Sequence, residues 1–155
     1  MKALTIVGVV VALLAAAASA ATQFVANSPT AGATVTVGDQ TFSFKGGGCL
    51  ITADSWAMAL GAMADGEHLE LNIPAPVRAD AKDAVKPTKD GSYTNVSLTV
   101  IPKGGATSGN RWHAGGRVAR EADLTVVLKN NRRAGEFTGR TDGSPRSPIK
   151  GTFTC

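Results

Sequence analysis

At 155 residues, the chain suits one domain with a modest core. It carries 16 Lys and Arg against 12 Asp and Glu, for a formal charge of +4, and a single tyrosine. With no aromatic-interleaved basic motif, nucleic-acid binding is excluded as a leading reading.

The N-terminus, MKALTIVGVVVALLAAAASAATQ, places Lys2 before an uncharged run over residues 3–18 that closes in small residues. This is the order of regions in a secretory signal peptide. Ala18 and Ala20 have the spacing a signal peptidase reads, so cleavage is expected after Ala20 or, as second choice, after Ala21. A membrane anchor needs about 20 apolar residues with suitable flanks, and this run is a little short. No cysteine sits near the cleavage point, as a lipid-anchored bacterial protein would require. The expected organisation is a signal peptide over residues 1–20, a short lead over 21–32 and a single β-rich domain over 33–155. The expected location is secreted or periplasmic, at the cell envelope, with no transmembrane segment after cleavage.

Period-two alternation dominates the rest. Residues 33–37 (ATVTV) and 40–45 (QTFSFK) flank Gly38-Asp39, a two-residue hairpin signal with glycine first, as a type II′ turn prefers. Phe42 and Phe44 then share one face, with Thr41 and Ser43 on the other. The glycine run over residues 46–48 reads as a bend or bulge before a third strand, 48–52. Residues 55–63 (SWAMALGAM) fit a strand with Trp56, Met58 and Leu60 on one face. They also fit a helix capped by Asp54 and ended by Gly66; the strand is favoured. Asp65-Gly66 then reads as a two-residue hairpin loop into the strand 67–73, EHLELNI.

Residues 74–91, with three prolines and seven charged residues, form a long exposed connection that has room for a helical turn or two over 78–85. Strands are expected over 92–101, 116–129, 134–141 and 148–155, joined through Gly104-Gly105, Asn130-Asn131 and Asp142-Gly143. About eight to ten short strands at turn-punctuated spacing predict an all-β, antiparallel sandwich or barrel-like sandwich.

Two cysteines in an exported chain favour one disulfide, Cys49–Cys155, over free thiols or a catalytic cysteine. A nucleophilic cysteine wants a cationic neighbour, and none flanks either position in sequence. The bridge closes a loop of about 106 residues.

Charge divides along the chain. Over residues 21–75, Lys45 stands against five acids, a balance of −4; from residue 102 onward, ten Lys and Arg stand against four acids, a balance of +6. Such asymmetry can steer an anionic partner.

The densest recognition-type patch is GNRWHAGGR, where Arg111, Trp112 and His113 sit between glycines. Arg and Trp are enriched at binding hot spots, and an exposed tryptophan can stack on a flat or apolar partner, which makes this a candidate ligand or glycan surface of an extracytoplasmic binding module. Packing of Trp112 into the core is the competing reading. The basic turn Lys129, Arg132 and Arg133 could meet an anionic polymer or envelope component; its plainer reading is a solvated turn. His68 and Glu70 share a strand face and could begin a zinc site, but a third ligand could come only from His113 or a distant carboxylate, and no metal or other cofactor is assigned. Hydrolase signatures such as Gly-x-Ser-x-Gly and His-Glu-x-x-His are missing. The expected class is therefore non-catalytic, with catalysis through His68 or His113 as the remaining enzymatic alternative. Oligomeric state leaves no signal in the sequence.

The stretch VTVGDQTFSFKGGGC, together with the closing LTVVLKNNRRAGEFTGRTDGSPRSPIKGTFTC, resembles the small mycobacterial lipoprotein antigen family. The similarity covers residues 33–64 and 124–155, and its motifs are structural ones. It implies a disulfide-linked, β-rich envelope protein without enzymatic activity, recognised as an antigen. The lipidation cysteine of that family is missing here, so only Cys49 and Cys155 carry over, as a structural bridge.

Overall fold

The computed structural model describes residues 23–25, 30–61, 65–73, 85–115 and 123–155. The expected signal peptide, nearly all of the expected helical turns over 78–85, and the start of the expected strand over 116–129 lie outside the described residues.

Alternating side chains produce twelve strands in these residues, arranged as two antiparallel six-stranded sheets. Sheet I runs β1 (Gln23–Val25), β4 (Gly47–Ile51), β5 (Trp56–Leu60), β6 (His68–Ile73), β8 (Ser97–Ile101) and β9 (Trp112–Gly115). Sheet II runs β3 (Gln40–Lys45), β2 (Gly32–Val37), β12 (Pro148–Thr154), β11 (Ala134–Arg140), β10 (Leu124–Lys129) and β7 (Gly91–Tyr93). One helical turn, α1 (Gly105–Ser108), lies between β8 and β9.

Each strand turns its apolar set inward. Val35, Phe44, Val126, Phe137, Ile149 and Phe153 of sheet II join Trp56, Met58, Leu69, Leu71 and Leu98 of sheet I in one buried cluster. Burying a side chain of this size is worth about 1.5–3 kcal/mol of transfer free energy. The outward positions of the same strands are mostly Thr, Ser, Lys and Glu.

Successive strands change sheet five times, and at two of these places, between β3 and β4 and between β7 and β8, the change is a short corner. Between β3 and β4 only Gly46 intervenes, with φ +77°. Gly47 follows at φ +100°, and a Cβ there would stand 2.1 Å from the Ala59 carbonyl oxygen. The glycine run is thus a corner that lets β4 lie close against β5. At the second corner the expected strand over 92–101 breaks in two. β7 belongs to sheet II and β8 to sheet I, with Val96 buried between them. The buried positions shift phase by one residue at the bend, from Tyr93 to Val96, and then alternate again through Leu98 and Val100.

Other expectations meet the structure directly. The Gly38-Asp39 hairpin forms with Val37 paired to Gln40 and Gly38 at φ +57°. Residues 56–60 are strand, with Trp56, Met58 and Leu60 all buried. The Asp65-Gly66 loop is longer than two residues, because Leu60 already pairs with Leu69. The chain leaves the ladder at Gly61, φ +98°, and returns after Gly66, φ +71°. β1 comes from the stretch read as a lead and pairs with β4, Phe24 opposite Leu50.

Cys49 on β4 and Cys155 just past β12 are joined by a disulfide, Cα to Cα 5.6 Å, which links sheet I to sheet II. β12 is an interior strand, flanked by β2 and β11.

Candidate functional site

The six residues singled out by sequence fall into two groups. Arg111, Trp112 and His113 lie at β9, the edge of sheet I. Lys129, Arg132 and Arg133 lie at the turn between β10 and β11 in sheet II. Arg132 precedes the start of β11, whereas Asp142, beyond its far end, donates its backbone N–H to the His113 carbonyl at 2.6 Å. The two groups thus sit at opposite ends of β11, about 20 Å apart by strand rise, and do not form one patch.

Trp112 faces inward like Ala114 and packs on Phe42, with ring centroids 5.4 Å apart at a tilt of 36°. Its ring is half-buried against the core, so much of its stacking surface is already occupied. Arg111 is exposed just before the strand. His113 points outward, its Nδ1 3.0 Å from the Thr99 hydroxyl.

At the basic turn each cation has a different fate. Lys129 Nζ donates to Glu136 at 2.9 Å. Arg132 Nη1 donates to the carbonyls of Thr52 (2.8 Å) and Pro87 (2.9 Å), so its guanidinium is turned back onto the protein. The Arg132 carbonyl accepts from Trp56 Nε1 at 2.8 Å. Asp90 accepts the backbone N–H groups of Asn131 and Arg132, at 3.1 and 2.7 Å. Of the three, Arg133 is the exposed cation for which no such anchor is seen among the described residues. Arg132 thus acts as a clamp between loops.

On the outer face of sheet I, Glu70 has both oxygens engaged. Asn72 donates to one at 2.8 Å and His68 Nε2 lies 3.1 Å from the other. These bonds, Asn72 first and His68 second, hold the Glu70 carboxyl below its ordinary value. Among the described residues no three metal-ligand side chains come together. Near the His113 end, Arg146 pairs with Asp123, and burial pushes the Asp142 carboxyl up, opposed by the charge of His113.

The feature that sequence reading missed is the outer face of sheet II. Register aligns its side chains in rows across the strands. One row is Ser43, Thr34, Thr152 and Glu136; the next is Thr41, Thr36, Lys150, Thr138 and Thr125. A third holds Lys45, Gly32, Thr154, Ala134 and Lys129. The signal lay in the alternate Thr and Ser positions of β2, β3 and β12, but strand order is needed to see that they adjoin. Where Gly32 presents no side chain, a depression of about 450 Å³ opens, lined by Thr30, Thr34, Ser43, Lys45, Thr152 and Thr154. It is an open trough on the sheet surface and not an enclosed cleft, with Ala31, Ala33, Phe44 and Phe153 also in its lining.

Two facing antiparallel sheets joined by a disulfide define the class, an all-β sandwich-like domain. Comparison with protein-family models, with curated proteins and with solved structures gives no match.

Proposed function

We propose that the chain is an exported, non-catalytic domain of the cell envelope or extracellular space, serving a structural or binding role. The observation that carries this is the Cys49–Cys155 bridge, which uses both cysteines and unites the two sheets. A bond of that kind persists in oxidising compartments, and the leader-like N-terminus supplies a route to one. The resemblance to envelope lipoprotein antigens supports the same location and an antigen-like role. The hydrogen bonds of His68 and His113 run to Glu70 and Thr99, and both serve the sheet surface.

Intact-mass analysis and N-terminal sequencing of the exported protein test the reading. The expected product begins at Ala21 or Thr22 and lacks two hydrogens relative to the dithiol. A start at Met1, or two alkylatable thiols, overturns it. Hydrolytic activity that disappears in the double variant His68→Ala, His113→Ala would overturn the non-catalytic part.

A further inference from the structure

We propose that the outer face of sheet II, over β3, β2, β12 and β11, docks a linear acidic polysaccharide, with the Gly32 depression seating one of its sugars. This deepens the binding reading above by naming its surface and its ligand class.

The charge of the face selects an anion. Lys45, Lys129, Lys150 and Arg140 all project from outward positions, against one acid, Glu136. Lys129 is the cation that pairs with Glu136, at 2.9 Å. A net positive field therefore remains around Lys45, Lys150 and Arg140, each exposed. The strands β4, β5 and β6 of sheet I hold Glu70 and no Lys or Arg, so the positive charge of these strands is concentrated on sheet II.

The hydroxyls select a sugar. Thr34, Thr36, Thr41, Ser43, Thr138 and Thr152 offer donors and acceptors on one side of the sheet. Thr36 and Thr41 hydrogen-bond to each other at 3.0 Å, as paired hydroxyls in the same row can. Neighbouring strands place successive hydroxyls about 4.8 Å apart, close to the length of one sugar unit. Threonine methyl groups between them give the C–H edges of a sugar ring something to touch. The face carries no aromatic side chain, so base stacking, the usual means of gripping single-stranded nucleic acid, has no platform. Carboxylates on the polymer would meet Lys45 and Lys150 through charge-assisted hydrogen bonds. Such contacts at an exposed face weaken with salt.

The test uses the purified, oxidised protein and polygalacturonate oligomers, with neutral dextran, duplex DNA and anionic vesicles as comparisons, followed by titration calorimetry. Expected is binding to polygalacturonate, weakened at least tenfold at high salt, with no binding to dextran. Thr34→Val with Thr152→Val keeps β-branched shape while removing hydroxyls, and is expected to cut affinity at least fivefold. Lys45→Gln with Lys150→Gln is expected to do the same, while Lys103→Gln, an exposed charge in the β8–β9 connection, leaves affinity unchanged. Thermal melts confirm that each variant is folded. No binding, equal loss in the Lys103→Gln control, full binding by the threonine variant, or tighter binding to DNA or vesicles would each overturn the proposal. None of these outcomes bears on the mass and disulfide measurements, so the reading of export stands or falls separately.

Discussion

Phe137 and Gly151 are cross-strand partners on β11 and β12, and the phenylalanine ring occupies the space a side chain at Gly151 would need. A Cβ at Gly151 would lie 2.4 Å from Phe137 Cζ and 2.5 Å from the Thr34 carbonyl oxygen. Two residues along, Gly135 and Phe153 repeat the arrangement with the roles exchanged, at 2.5 Å. Glycine inside a strand ordinarily weakens it; here each glycine makes room for a ring. Gly151→Ala and Gly135→Ala are therefore expected to destabilise, each by about 1–3 kcal/mol, as overpacked cores do. Urea denaturation checks this, and an unchanged or raised midpoint in either variant would refute it.

The disulfide makes a second prediction. It closes a loop of 106 residues, for which the chain-entropy model gives about 4.7 kcal/mol. Cys49→Ala with Cys155→Ala is expected to cost about 2–5 kcal/mol, the range seen for native bridges. The last strand should nevertheless stay paired, because β12 lies between β2 and β11. Hydrogen exchange should then show protection kept in the middle of β12 and lost near residue 155, where the Cys155 N–H donates to the Arg133 carbonyl at 2.8 Å. Loss of protection along all of β12 would show that the bridge, and not the ladder, holds the strand.

That distinction marks what the residues could and could not disclose. The alternation of Trp56, Met58 and Leu60, the Gly38 turn and the cysteine pair are local or compositional signals, and each was readable. Strand order is long-range: nothing local tells that Thr34 lies beside Thr152, or which sheets the two halves of residues 92–101 join. For the same reason the surroundings of Arg132 could not be read from the sequence. Arg132 looks like a free cation in the run of residues 129–133, yet folding brings the Thr52 and Pro87 carbonyls to its guanidinium.

Arg132 also carries a third prediction. Asn130, Asn131 and Arg132 all have positive φ, 56°, 56° and 65°. Asparagine tolerates that region, but a residue with an ordinary Cβ pays about 1–2 kcal/mol there. Arg132→Ala and Arg132→Gly lose the same guanidinium bonds, and only the glycine relieves the backbone. Arg132→Gly should thus be more stable than Arg132→Ala by about 1 kcal/mol, with both below wild type. Asp90→Ala, which strips the acceptor from two backbone N–H groups, should cost about 1–3 kcal/mol. Equal midpoints for the alanine and glycine variants would remove backbone strain from the account.

Two carboxylates should give stability opposite dependences on pH. Glu70 is held below its ordinary value of 4.5, first by the bond from Asn72 and then by His68. Its contribution is present above pH 4.5 and is lost as pH falls through the lower folded value. Asn72→Ala should therefore lower Tm at neutral pH, with the difference closing in acid. Asp142 is the reverse case: burial, the leading cause, raises it above 3.8. The folded protein then binds the proton more tightly than the unfolded chain, so stability falls as pH rises from 3.8 through the raised value. At neutral pH that penalty is fully present, and Asp142→Asn, which is neutral throughout, should hold or raise Tm. Below pH 3.8 the Asp142→Asn melting curve should converge on wild type. Both groups are partly exposed, so solvent screening keeps the shifts small, and the sign of each trend is the quantity to measure. Thermal melts of the two variants between pH 3 and pH 7 decide it, and a Tm lowered by Asp142→Asn at neutral pH would show that burial is not the leading influence on Asp142.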